Sequence, residues 1–201
     1  MNSNDFLTLT PFAFITVYTP GPSSLSSASM GINFGIKKTM PFLYGISLGC
    51  LIVMLISGAF SGLVFRAFPS FQAIMRWVGA AYILYLAYGT FKNSFSFQDN
   101  REKYLWDFNK GLLLQLLNPK GLIFSMTLYS TFLASIVHQP YYVCLFSLAI
   151  ALLVFSGVLT WASFGAFISQ YLHRVKLRVL LNSILSLLLV YTAIKITGLL
   201  D

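Results

Sequence analysis

"PFAFITVYTPGPSSLSSASMG" spans residues 11–31 and "GLLLQLLNPKGLIFSMTLYSTF" spans residues 111–132. Each is an apolar run interrupted by proline, at "TPGP" (19–22) in the first and at "NPK" (118–120) in the second. Proline inside a helix removes a backbone hydrogen bond and collides with the preceding turn, at a cost of roughly 3 kcal/mol. A lysine inside an apolar span adds to that cost. Both interruptions fall about halfway along stretches long enough to cross a bilayer, so each marks either a packing kink or a site.

The surrounding composition supports the membrane reading. The chain has 201 residues, of which 57% are hydrophobic and only 9% charged, whereas soluble domains carry about 25% charged residues. Roughly six spans of about 20 residues fit, with no sizeable water-soluble domain beside them. The formal charge is +8, but the bases gather in short loops, as they do when they set membrane orientation. No nucleic-acid partner is expected. Cys50 and Cys144 lie in apolar runs without a CxxC spacing, and His138 and His173 lie in loops, so neither a metal site nor a cofactor is expected. "MNSNDFLTLT" (1–10) carries no Lys or Arg ahead of the first apolar run, and the first span is therefore expected to be retained.

Apolar runs predict spans near 7–32, 41–64, 71–91, 110–134, 141–168 and 177–199. Lys37 and Lys38 follow the first span. Lys92, Arg101, Lys103 and Lys110 follow the third, and Arg174, Lys176 and Arg178 follow the fifth. Only Arg66, with Arg76 just inside the third span, and His138 occupy the opposite side. The basic excess predicts that the first, third and fifth loops are cytoplasmic and that both termini are outside. Each half holds three spans and opens with a broken one. "LYLAYGTFK" (84–92) also echoes "VYTAIKITG" (190–198), aligning Tyr85 with Tyr191 and Ala87 with Ala193. Because three is odd, the second half must enter from the other face.

The expected fold is an all-α membrane protein of six transmembrane helices, arranged as two inverted three-helix repeats. Its first and fourth helices are broken near the midplane. One transporter domain covers 1–201, with halves at about 1–92 and 110–201 and a linker at about 93–109. Glycines four apart (Gly31 and Gly35, Gly45 and Gly49, Gly58 and Gly62) are expected to pack helices within the bundle.

The breaks themselves predict chemistry. In each broken span the second half-helix begins at the break, where Pro22 and Pro119 suit the first helical position. Asn118 is placed to cap one half-helix, and Ser23 and Ser24 put hydroxyls in the first turn of the other. Two helix N-termini and the Lys120 ammonium would converge, an arrangement suited to a carboxylate. Carbonyls at the ends of the preceding half-helices, near 16–19 and 115–117, suit an ammonium. A small zwitterion satisfies both ends. The predicted substrate-binding residues are Pro20, Gly21, Pro22, Ser23, Ser24, Asn118, Pro119 and Lys120, with no catalytic residue. No Asp or Glu falls in any predicted span, which favours neutral over basic amino acids. Tyr85 and Tyr191 could shape the site or simply pack.

Other functions leave weaker traces. An intramembrane enzyme would need a base beside one of the serines of "SSLSSAS" (23–29), and both histidines lie in loops. A thiol-redox carrier could use Cys50 and Cys144, although the two do not occupy equivalent positions in the halves. Nothing resembles a selectivity filter of a channel.

"TPGP", "GISLGCLIVMLISG" (45–58), "RWVGAAYILYLAYGTFK" (76–92) and "LLNPKGLIF" (116–124) together resemble the lysine exporter (LysE/RhtB) family over nearly the whole chain. "SLGCLIVML" (47–55) and "LLLVYTAIKI" (187–196) resemble its cysteine/O-acetylserine exporter subgroup. The resemblance implies an inner-membrane exporter of amino acids or their derivatives, driven by the proton gradient, with the broken helices as working parts. It also makes a homodimer an expected partner state. One feature departs from the family, which follows PGP with Asn or Asp where this chain has Ser23 and Ser24. That change removes a carboxylate or an amide from the expected site.

Overall fold

A computed structural model describes residues 3–59, 69–95, 105–134, 136–171 and 175–197. Its regular elements are α1 (Ser3–Tyr18), α2 (Pro22–Ala59), α3 (Pro69–Phe95), α4 (Phe108–Leu116), α5 (Pro119–Thr127), α6 (Pro140–Tyr171) and α7 (Val175–Thr197). A π-helical turn at Leu128–Phe132 extends α5. The described residues are all-helical, with no strand among them. Two stretches, Pro22–Ala59 and Pro140–Ser169, are long and apolar enough to cross a membrane, and shorter apolar helices lie at Leu9–Tyr18, Trp77–Phe91 and Val179–Ile194.

Proline sets several of these boundaries. α2, α3, α5 and α6 each begin on one, at the position where a missing N–H costs nothing and the fixed φ is already helical. The chain leaves helix at 19–21 and again at 117–118, so both expected breaks are present. Asp107, in extended conformation, caps α4 by accepting the Lys110 N–H at 3.0 Å. Most of the expected linker, together with Arg66, Gly62 and His173, lies outside the described residues.

The turn after the first expected span is tighter than the sequence suggests. No loop separates it from the second. Gly35 alone departs from helical geometry, with φ 74° and ψ 171°, a conformation that other residues adopt only with strain. Its four-residue spacing from Gly31 implied helix packing, yet a Cβ at Gly35 would meet nothing within 4 Å. Gly35 is a hinge between two arms of α2, about 22–34 and 36–59. The arms fold back on each other, since Ser23 of the first and Cys50 of the second line the same recess.

The other glycines do pack helices. A Cβ on Gly31 would strike the carbonyl of Ala162, and one on Gly165 the carbonyl of Ala28. The same reciprocity joins Gly45 to the Phe108 carbonyl and Gly111 to that of Phe42. Thus the first arm of α2 lies backbone to backbone on α6, and the second arm lies likewise on α4. α3 packs chiefly on α7, through Ala80, Ile83 and Ala87 against Leu189 and Ala193. A polar link joins α7 to the first arm of α2, where Asn182 Nδ2 donates to Asn33 Oδ1 at 2.9 Å.

Such crossings cannot admit a larger side chain. Gly45→Val should destabilise the protein by roughly 1–3 kcal/mol, the usual cost of overpacking. Thermal unfolding of the purified protein should show a midpoint several degrees lower. An unchanged midpoint would contradict the α2–α4 contact.

Candidate functional site

The two helix breaks meet. A polar network built from both halves of the chain ties them together. Asn118 caps α5, its Oδ1 accepting the backbone N–H of Lys120 at 3.1 Å. This is the capping role expected of an asparagine just before Pro119. Its Nδ2 donates to Ser23 Oγ at 3.1 Å and to Gln115 Oε1 at 3.3 Å. Ser23 Oγ in turn donates to Gln115 Oε1 at 2.8 Å. All three side chains are buried.

A charged link also joins the two breaks. Lys120 reaches back along the break, and its Nζ donates to the Thr19 carbonyl at 2.9 Å. Gly21 makes room for it, since a Cβ there would stand 3.1 Å from Lys120 Cδ and 3.3 Å from Nζ. The end of α1 is tied by other side chains as well. Thr19 N–H and hydroxyl both donate to the Ile15 carbonyl. Trp161 Nε1 donates to the Tyr18 carbonyl at 3.3 Å, and the Tyr18 hydroxyl lies 3.0 Å from Ser156 Oγ. Backbone groups left free by a break thus find partners on helices distant in sequence, as an apolar setting demands.

Beside this network lies a recess of about 450 Å³, counting its open mouth. Its polar lining is Thr16, Ser23, Ser24, Gln115, Asn118 and Lys120, with Gly21 and Gly121. Val17, Cys50, Phe124, Val154 and Val158 form the apolar walls. Two apolar clusters bound it. One holds Cys50, Met54, Phe124 and Tyr129, and the other holds Met30, Phe42, Ile46 and Val158. Among the described residues, Lys120 is the one charged residue in the lining, and no carboxylate accompanies it there.

The expected site residues divide. Gly21, Ser23, Ser24, Asn118 and Lys120 line the recess. Pro22 and Pro119 are buried beside it without lining it, and Pro20 is exposed. The serine run also divides, because Ser26, Ser27 and Ser29 are buried in helix packing rather than in the lining. Tyr85 and Tyr191 face outward at 56% and 53% exposure, so they do not shape the recess. The two cysteines do not share it either. Cys50 lines it, whereas Cys144 is exposed, and both thiols are free.

The Gln115 side chain was not anticipated, only carbonyls near 115–117. Its signal lay in the sequence, as one carboxamide within the otherwise apolar "LLLQLL" (112–117). A polar side chain in such a run is costly unless it has work to do. The contribution of Cys50 and Gly121 to the lining had no comparable signal.

Residues 14–198 match the family described as LysE type translocator. Among curated proteins, the chain is 33% identical to a cysteine/O-acetylserine efflux protein of Klebsiella pneumoniae, over 95% of this chain and 94% of that one. It is 31% identical to the protein of the same name in Salmonella typhimurium and 30% identical to that of Escherichia coli, each over 92% of this chain and 93% of the relative. No solved structure matches it. The chain belongs to the LysE type translocator family, and is a transporter rather than an enzyme.

Proposed function

We propose that the protein exports neutral amino acids or their derivatives, of the cysteine/O-acetylserine type, across the inner membrane. In this reading six spans form two inverted three-helix halves joined by the linker at about 93–109. The loops richest in Lys and Arg face the cytoplasm, and both termini lie outside. The names of its relatives support the substrate class, and the antiparallel arms of α2 support the span count. The proton gradient, as the resemblance implies, supplies the drive.

One observation carries the proposal: the Lys120 ammonium spans the two breaks to the Thr19 carbonyl, in a recess that has no carboxylate among the described residues. A zwitterion supplies what each side lacks. Its carboxylate takes the lysine, helped by the first-turn N–H groups of Ser23 and Ser24. These groups have no intrahelical acceptor, and Gly21 has no side chain with which to cap them. Its ammonium takes the carbonyls at the end of α1, including the one that Lys120 releases. Substrate thereby replaces a bond that holds the breaks together with bonds through itself. Such an exchange gives two arrangements of the same helices a different affinity for the ligand, which alternating access requires. A lining whose described residues hold no fixed negative charge works against a dicationic amino acid such as lysine.

In proteoliposomes, Lys120→Met should retain folding and insertion while reducing efflux of labelled O-acetylserine to background. Wild-type efflux should saturate with substrate and respond to an imposed pH gradient. Transport by the variant at the wild-type rate would remove the lysine from the site.

Orientation has its own test. Lys38→Cys in a cysteine-free background should react with an impermeant maleimide only in inside-out vesicles. Labelling in right-side-out cells would invert the topology.

A further inference from the structure

Donor and acceptor accounting around the α4–α5 break fixes which way each amide points. Asn118 Oδ1 is committed to the Lys120 N–H at 3.1 Å, so its other face, Nδ2, must donate. It donates toward Gln115 at 3.3 Å, and the Ser23 hydroxyl donates to the same Gln115 atom at 2.8 Å. Were the Gln115 carboxamide reversed, an NH2 would confront the Asn118 NH2. Gln115 therefore presents its oxygen to the network and its Nε2 away from it. Among the described residues that NH2 has no acceptor, although Gln115 is only 4% exposed and lines the recess. Nε2 is not among the buried polar atoms that lack a partner, so this donor pair faces the recess and is open to whatever occupies it. Gly121 shares the arrangement, because a Cβ at that position would stand 2.7 Å from Gln115 Nε2. The missing side chain leaves the amide its space.

We propose that Gln115 determines side-chain specificity, its Nε2–H donating to a hydrogen-bond acceptor on the substrate's side chain. This rests on the reading of the recess as an amino-acid site, and it adds a division of labour within it. Lys120 and the helix ends hold the α-carboxylate and ammonium, which every amino acid has. Gln115, on the opposite side of the Asn118 cap, reads what distinguishes one amino acid from another. Val17, Phe124, Val154 and Val158 form apolar walls that tolerate bulk, and Thr16, Ser24 and Cys50 are the other side chains there with a hydroxyl or thiol. An ester carbonyl, as in an O-acylated serine, accepts from a neutral N–H, and a thiol does so more weakly. Unbranched apolar amino acids of similar length leave the amide unpaired.

The test compares efflux of labelled O-acetylserine with that of norvaline from proteoliposomes containing the full-length protein, at mildly acidic pH where the ester is stable. Wild type should favour O-acetylserine by about tenfold, the scale of one neutral hydrogen bond. Gln115→Glu retains an oxygen for Ser23 and Asn118 but offers the substrate no N–H, and should bring the ratio near one. Gly121→Ala crowds the amide and should lower the ratio in the same direction, giving a second variant if the first folds poorly. Overturning results are a wild-type ratio in both variants, or an equal loss of both substrates from folded protein. The second would mark a residue that only braces the break. Lys120→Met run alongside separates this proposal from the one beneath it. If that variant moves both substrates at the wild-type rate, the amino-acid site itself is misplaced, whatever Gln115 does to the ratio.

Discussion

A helix that stops inside an apolar interior strands backbone carbonyls on one side of the stop and N–H groups on the other, with no water to receive them. This chain stops two helices in that way, and much of the arrangement at its centre serves to answer the resulting demand. The Thr19 carbonyl is met by Lys120 and that of Tyr18 by Trp161. At the other break, Asn118 supplies the cap and passes its remaining hydrogens to Ser23 and Gln115. The first break takes its carbonyl partners from the other half, whereas the second caps its own backbone and reaches the other half through side chains, at Ser23.

That mutual dependence explains the close crossings. For Ser23 to reach Gln115 across 92 positions of sequence, both arms of α2 must come within side-chain reach of α4 and α6. Glycine at positions 31, 45, 111 and 165 lets the backbones touch. The packing thus places the polar network, while the network satisfies the backbone that the packing would otherwise bury at a cost. The recess lies where the two requirements meet, between two apolar clusters.

How much of this could be read from the residues differs by feature. Helix positions followed from apolar runs. Both breaks followed from proline, and the Asn118 cap followed from its place before Pro119. These are local effects, fixed by neighbours in sequence. The hinge at Gly35 was misread because four-residue spacing reports which side of a helix a glycine occupies, not whether the helix continues past it. Tyr85 and Tyr191 occupy matching positions in the halves, yet matching positions do not say which side faces the centre. Gln115 escaped notice because its oxygen is engaged by Ser23 as well as by Asn118, and Ser23 arrives only when the two breaks come together.

The central claim is that one zwitterion is held from both ends between the two breaks. Thermal stabilisation of the purified protein by O-acetylserine, compared with its carboxyl methyl ester and its N-acetylated form, tests this most directly. A ligand at a hundred times its Kd stabilises by about 2.7 kcal/mol, an amount readily seen as a rise in unfolding temperature. The account predicts that the zwitterion raises the midpoint and that neither blocked form does so at the same concentration. Equal stabilisation by either blocked form would show that the corresponding charge is not held, and would contradict the site proposed between Lys120 and the end of α1.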